Sequence, residues 1–104
     1  MDFNKMLEQV QQMQGQMQKA QEELKNETVQ ASAGGGMVTV TATGAGEIRE
    51  IKIDPKAIDP ADPEMLEDMV VAAVNEALRS SQSLVEAKLG PALGGLHGLG
   101  LPGL

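Results

Sequence analysis

Apolar residues recur at alternating intervals of three and four along the first 27 residues. This spacing is the a/d register of a heptad repeat, and it predicts one α-helix over residues 2–27 with an apolar seam along one side. Such a helix is roughly 40 Å long, more than a small sheet can cover, so we expect part of the seam to meet a second chain. The seam positions are Phe3, Met6, Val10, Met13, Met17, Ala20 and Leu24.

The apolar period then changes to two, which is typical of strands with one buried face. Three short stretches alternate in this way, at residues 28–33, 37–43 and 47–53. Glycine-rich segments at 34–36 and 44–46 separate them and suit tight turns, because glycine takes positive φ at little cost. We therefore predict a three-stranded antiparallel sheet. Its third strand should place Arg49, Ile51 and Ile53 on one face, with Ile48 on the other.

Three Asp-Pro pairs follow the sheet, and an Asp cap followed by proline is a helix-start signal. They predict a short turn over residues 55–58 and a long helix from Pro63 to about Leu89, ended by Gly90-Pro91. The remaining Gly/Leu-rich segment has no period and is expected to be a flexible tail, dispensable for folding. The chain is thus an α+β protein with one α-β-α domain over residues 1–89 and a tail over residues 90–104.

The charge balance narrows the classes of partner. The chain of 104 residues has a formal net charge of −7 that is spread along its length, and no basic tail. Long-range attraction to DNA or anionic membranes is therefore not indicated. Phe3 is the only aromatic residue, which disfavours a base-stacking platform for single strands. Without a signal pattern or a long apolar run, a soluble cytoplasmic protein with no membrane partner is expected.

Residues capable of catalysis or metal binding are sparse. An acidic group follows the sheet, but its spacing does not fit a calcium loop and each aspartate has a capping role available. His97 is the only histidine, and its neighbours in sequence offer no partner for acid–base work. With no cysteine either, we expect a non-enzymatic protein without catalytic residues, metal, cofactor or small-molecule substrate. The acidic group is Asp54, Asp59, Asp62 and Glu64.

Specific stretches in a fixed order carry a resemblance to a known family. These are MLEQVQQMQ in the first helix, SAGGGMVTVTATGAGEIREIKIDP through the sheet, DPEMLEDMVVAAVNEAL in the second helix, and the Gly/Leu/Pro tail. Together they cover essentially the whole chain and closely resemble the YbaB/EbfC family of bacterial nucleoid-associated proteins. The resemblance implies a tweezer-like homodimer joined through its sheet region. It also implies binding of double-stranded DNA with low sequence specificity, and a role in nucleoid organisation and gene expression.

Two sets of candidate residues accompany this interpretation. Cations on the helices are the candidate DNA contacts: Lys5, Lys19, Lys25, Arg79 and Lys88. Apolar positions of the sheet and the first helix are the candidate dimer interface: Val38, Val40, Ile51, Ile53, Val10, Met13 and Met17. The alternative hypothesis is a protein-interaction module that docks replication or repair partners through the seam and the tail. Salt dependence separates the two, because phosphate contacts weaken steeply with salt and apolar contacts do not.

Overall fold

The chain folds as a long helix, a three-stranded sheet and a second long helix. The computed structural model describes residues 2–97, and the side chains of residues 2–90. The predicted α-β-α order is confirmed. In chain order the elements are α1 (Phe3–Asn26), β1 (Thr28–Ala33), β2 (Val38–Thr43), β3 (Ile48–Ile53), a 3-10 turn (Pro55–Ala57) and α2 (Pro63–His97).

The core lies between α2 and one face of β1 and β2. The sheet is antiparallel with the strand order β1-β2-β3, so β2 is central. Val38, Val40 and Ala42 of β2 are fully buried against Ala73 and Ala77 of α2. The small alanine side chains allow the helix backbone to lie close to the strands. Because α2 packs across β1 and β2, β3 extends the sheet past the cover of the helix.

A bulge in β3 changes which of its residues share a face. Ala42 of β2 lies opposite Ile48, so Arg49 is an extra residue in β3. Residues directly opposite one another in antiparallel strands point to the same face. Ile48 therefore joins Ile51 and Ile53 on the face that carries α2. The alternation predicts Arg49 on that face and Ile48 on the other; this assignment is wrong, because one inserted residue reverses it.

Helix α2 begins where the sequence predicts and ends later. The Asp62 side chain accepts a hydrogen bond from the Met65 N–H at 3.2 Å and caps the start at Pro63. The predicted end near Leu89 is wrong, since the helix continues through Pro91 to His97. A proline inside a helix removes one hydrogen bond of the ladder and crowds the carbonyl four residues earlier, at a cost of about 3 kcal/mol, and α2 continues past Pro91 despite that cost. The rest of the predicted flexible tail, residues 98–104, lies outside the described residues.

The molecule is elongated. Its principal extents are 71 × 26 × 16 Å and its radius of gyration is 19.7 Å, whereas a compact domain of this size has about 13 Å. Helix α1 accounts for much of the difference, because Leu24 is its only residue classed as buried within the described part of the chain. We call helix α1 the arm, and its last turn around Leu24 the base of the arm.

Candidate nucleic-acid interface

The arm is attached to the body by a close contact at the end of α1. Leu24 is buried against Gly44, which follows β2. A Cβ atom on Gly44 would lie 2.7 Å from Leu24 Cδ2 and 2.8 Å from the Leu24 carbonyl oxygen, so no larger residue fits without movement. The Gly44 N–H donates to the Glu27 carbonyl at 3.0 Å. Beside it, the buried Ser81 hydroxyl of α2 donates to the Thr43 carbonyl at 2.7 Å.

Lys88 of α2 joins the two helices by ion pairs. Its Nζ lies 2.9 Å from Glu23 Oε2 and also contacts Glu27 Oε1. Hydrogen bonds to Glu27 and Glu23 raise the pKa of Lys88 above its ordinary value. The hydrogen bond from Lys88 and its charge lower the pKa of Glu23. With a side chain only 21% exposed and two carboxylates beside its charge, Lys88 has little capacity left for a phosphate.

The three arm-helix lysines are placed differently from Lys88. Lys5 and Lys19 fall at c positions and Lys25 at a b position of the heptad, so all three face away from the seam. All three are exposed. Among the residues with described side chains, none of them forms a salt bridge. Their charges are therefore accessible to an anionic partner.

Two arginines complete the cationic groups near the helices. Arg79 is exposed and donates through Nε and Nη2 to Glu76 Oε2, at 3.1 and 2.8 Å. Arg49 was absent from the sequence-derived contacts, yet it lies beside Lys25 and donates to the Lys25 carbonyl at 2.9 Å. It thereby caps one of the last carbonyls of α1. The bulge that brings it there has no signal in the alternation of β3.

The candidate interface residues divide into buried and exposed groups. Val38 and Val40 are completely buried within one chain, which leaves them no surface for a second chain. Ile51 and Ile53 on β3 are 42% and 37% exposed, and Ile48 beside them is 38% exposed. On α1, Val10 and Met13 are exposed and Met17 is half-buried. Among these candidates, the exposed apolar side chains are therefore those on β3 and in the first half of the arm.

The acidic group after the sheet has local structural roles. Asp54 and Asp59 each accept a hydrogen bond at 2.9 Å from the N–H two residues further on, and Asp62 caps α2. Among the side chains of residues 2–90, the structure contains no group of three or more His, Asp or Glu residues that could hold a metal ion. Within residues 2–97, neither helix is long and apolar enough to cross a membrane.

Comparisons with known proteins match this architecture over nearly the whole chain. The model of the YbaB/EbfC DNA-binding family matches residues 1–96. A nucleoid-associated protein of Acetivibrio thermocellus is 52% identical over 103 residues, which cover 99% of this chain and 89% of that protein. Another from Saccharopolyspora erythraea is 49% identical, covering 99% and 94%. A crystal structure of an uncharacterized Helicobacter pylori protein superposes with a TM-score of 0.74 at 25% identity, covering 92% of this chain and 98% of that one.

Proposed function

The chain belongs to the YbaB/EbfC DNA-binding family, and we propose that it is a nucleoid-associated protein that binds double-stranded DNA as a homodimer, with low sequence specificity. The relatives at about half identity are named nucleoid-associated proteins. The proposal for this chain includes a role in nucleoid organisation and gene expression, without catalysis. The comparisons give no support to the alternative of a module that docks replication or repair proteins.

The observation that carries the DNA-binding proposal is the placement of Lys5, Lys19 and Lys25. They are exposed cations that form no salt bridge with any described side chain, on the outward side of a helix that projects from the body. A rod-like element can lie along a duplex while the acidic body remains away from the phosphates. Dissolved salt screens the repulsion between the acidic body and the phosphates, because charges more than about 8–10 Å apart interact weakly at physiological salt. The net charge of −7 therefore lowers affinity without preventing local contact.

We propose a revised set of phosphate contacts. We assign Lys5, Lys19 and Lys25 to DNA, together with Arg49, whose guanidinium lies at the base of the arm beside Lys25. Lys88 is assigned to holding α1 against α2, because its charge is already paired twice. Arg79 is exposed but engaged with Glu76, so it would have to exchange a carboxylate for a phosphate. Contacts of this kind read the backbone and not the bases, which gives low sequence preference.

The homodimer is proposed to form through the uncovered apolar face of β3. Ile48, Ile51 and Ile53 form a row on an edge strand that α2 leaves exposed. An exposed apolar edge strand is a site for pairing with another chain. The accessible surface is 7502 Å², against about 5,600 Å² for a compact monomer of 10.9 kDa. A second copy related by a twofold axis would bring two such rows together.

Binding of random-sequence duplexes by the purified protein tests this function. We expect a gel shift in 50 mM salt that several unrelated sequences share, and a steep loss of affinity as salt rises to 200 mM. Absence of binding to a sequence-diverse panel at 50 mM salt would contradict the proposal. Light scattering on the same sample tests the assembly separately, and a folded monomer at micromolar concentration would contradict the homodimer alone.

A further inference from the structure

The first half of the apolar seam on the arm is exposed. Phe3 is 68% exposed, and Met6, Leu7, Val10 and Met13 are between 44% and 51% exposed. Further along α1 the seam becomes half-buried and then buried as it reaches the body. A contiguous row of exposed apolar side chains marks a surface for another molecule. We call these five residues the open seam.

The charges of this half of the arm lie away from the open seam. Between Phe3 and Met17 the only charged residues are Lys5 and Glu8, at the outward c and f positions of the heptad. The e and g positions, which flank the seam and select its partner, are uncharged. Two copies can therefore bring their open seams together without like charges between them, although each chain carries −7 overall. The flanking residues are Leu7, Gln9, Gln14 and Gln16.

The position of Leu7 distinguishes the two possible orientations of such a pair. In a parallel pair an e residue faces a g residue of the other helix, so Leu7 would face the carboxylate of Asp2. Reversing one helix brings e beside e, and an overlap centred on residue 8 sets Leu7 beside Leu7 of the second copy. The leucine that widens the seam beyond its a and d positions thus has an apolar partner only in the antiparallel pair.

The same antiparallel overlap fills the layers of the open seam and separates the bodies. Phe3 lies opposite Met13 of the second copy, and Met6 lies opposite Val10. Each body begins near Leu24, the buried residue of α1, so the two bodies are about 48 Å apart along the pair. That distance is several times the screening length of about 8 Å at physiological salt. Repulsion between the acidic bodies therefore does not oppose pairing.

The contact is small. Five side chains, most of them about half exposed, bury less than the about 800 Å² per partner that is usual for a stable interface. The arm is already helical in each chain, so pairing requires no folding of the helix. We therefore expect weak association that becomes populated at high local concentration, such as that of neighbouring copies on one duplex.

We propose that the open seams of two copies pair in antiparallel orientation, as a contact separate from the β3 interface. Lys5 and Lys19 fall at c positions, beside g, and the g sides of both helices lie together in an antiparallel pair. The two copies thus place four ammonium groups in one row, at intervals of about 12, 9 and 12 Å. The row spans about 33 Å, close to the about 34 Å of one turn of B-DNA. The role of this row rests on the proposed DNA binding, whereas the pairing does not.

Disulfide trapping tests the pairing and its orientation together. The protein has no cysteine, so each variant carries a single thiol. Chains with Met6→Cys and chains with Val10→Cys are mixed in equal amounts without DNA and oxidised mildly, and mass spectrometry counts the linked pairs. We expect mixed pairs to outnumber all identical pairs together, because Met6 lies opposite Val10. Random collision gives mixed and identical pairs in equal numbers, and that result, or an excess of identical pairs, would overturn the proposal.

A change at the centre of the overlap shows which contact is trapped. Leu7→Gln in both cysteine chains removes the apolar group there and should lower the yield of mixed pairs several-fold. Val71→Gln is the matched control, because Val71 is an apolar residue of α2, off the arm, and is 58% exposed. Equal yields from the two variants would show that the open seam does not hold the pair, and would also overturn the proposal.

Ile51→Asp in the same cysteine chains separates the arm contact from the β3 interface. We expect mixed pairs to form as they do with Ile51 intact. Their loss in a variant with unchanged circular dichroism would mean that the arms meet only within the β3 homodimer, which would overturn a separate contact. Because these mixtures contain no DNA, their outcome does not depend on the gel shifts that test DNA binding.

Discussion

The Nζ of Lys88 lies 2.9 Å from Glu23 Oε2, and this pair joins the two long helices at the base of the arm. The same ammonium contacts Glu27, one helical turn further along the chain. One cation of α2 therefore bridges two carboxylates that flank Leu24, the buried residue of α1. Together with the Gly44 contact, it sets the direction in which the arm leaves the body.

Replacing Lys88 with Gln should loosen the arm without unfolding the body, because the sheet core does not involve this residue. Hydrogen exchange of the last turn of α1 should become faster, while that of β2 should be unchanged. Arg79→Gln is the matched control, since its partner Glu76 lies on the same helix. Unchanged exchange in α1 of the Lys88 variant would contradict the bridging role.

The same bridge should respond to acid. The pKa of Glu23 is lower in the fold than its ordinary value of 4.5, because Lys88 favours the carboxylate. Its stabilising contribution is therefore present above pH 4.5 and is lost as the pH falls through the lower, folded value. Hydrogen exchange at the end of α1, corrected for intrinsic rates, should speed up in that acidic range in the wild type. The Lys88→Gln variant should lack this step, and an identical step in both proteins would assign it to other groups.

Gly44→Ala should destabilise the protein through a steric conflict. The added Cβ would lie 2.7 Å from the Leu24 side chain and 2.8 Å from its carbonyl oxygen, and the backbone oxygen cannot rotate away. Overpacking of this kind costs typically about 1–3 kcal/mol. Chemical denaturation measures the change. Gly15→Ala is the control, because nothing lies within 4 Å of its Cβ and a helical alanine should raise stability by up to about 1 kcal/mol. Equal stability of the Gly44 variant and the wild type would contradict the close contact.

Charges placed at Val40 and Ile51 should have separable effects, although both residues lie on the same face of the sheet. Val40 is completely buried, so Val40→Asp places an unpaired charge in the core and should unfold the chain. Ile51 is 42% exposed in the single chain, so Ile51→Asp should keep the fold and disrupt the proposed dimer. Circular dichroism and light scattering distinguish the two results. A folded Ile51→Asp dimer would place the interface elsewhere.

The sequence predicts most of the fold because the two apolar periods are clear. The alternation of β2 and the glycines of both turns determine the register, and Asp62 determines the start of α2. Three features are not predictable from the pattern. The bulge at Arg49 follows from tertiary packing. The continuation of α2 through Pro91 depends on the helical segments on both sides of it. The ion pair of Lys88 with Glu27 joins residues 61 positions apart in sequence. A charge pattern alone therefore cannot distinguish a structural lysine from one available to DNA.

The salt dependence of DNA affinity in a three-lysine variant is the most direct test of DNA binding through the arm. Lys5→Gln, Lys19→Gln and Lys25→Gln leave the seam intact. The control variant, Lys52→Gln, Lys56→Gln and Arg79→Gln, removes the same charge from the body and α2. We expect the arm variant to bind more weakly, with a salt slope reduced by about 0.9 for each phosphate that is no longer neutralised, and the control to keep the wild-type slope. A wild-type slope in the arm variant, with a flattened slope in the control, would contradict DNA binding through the arm.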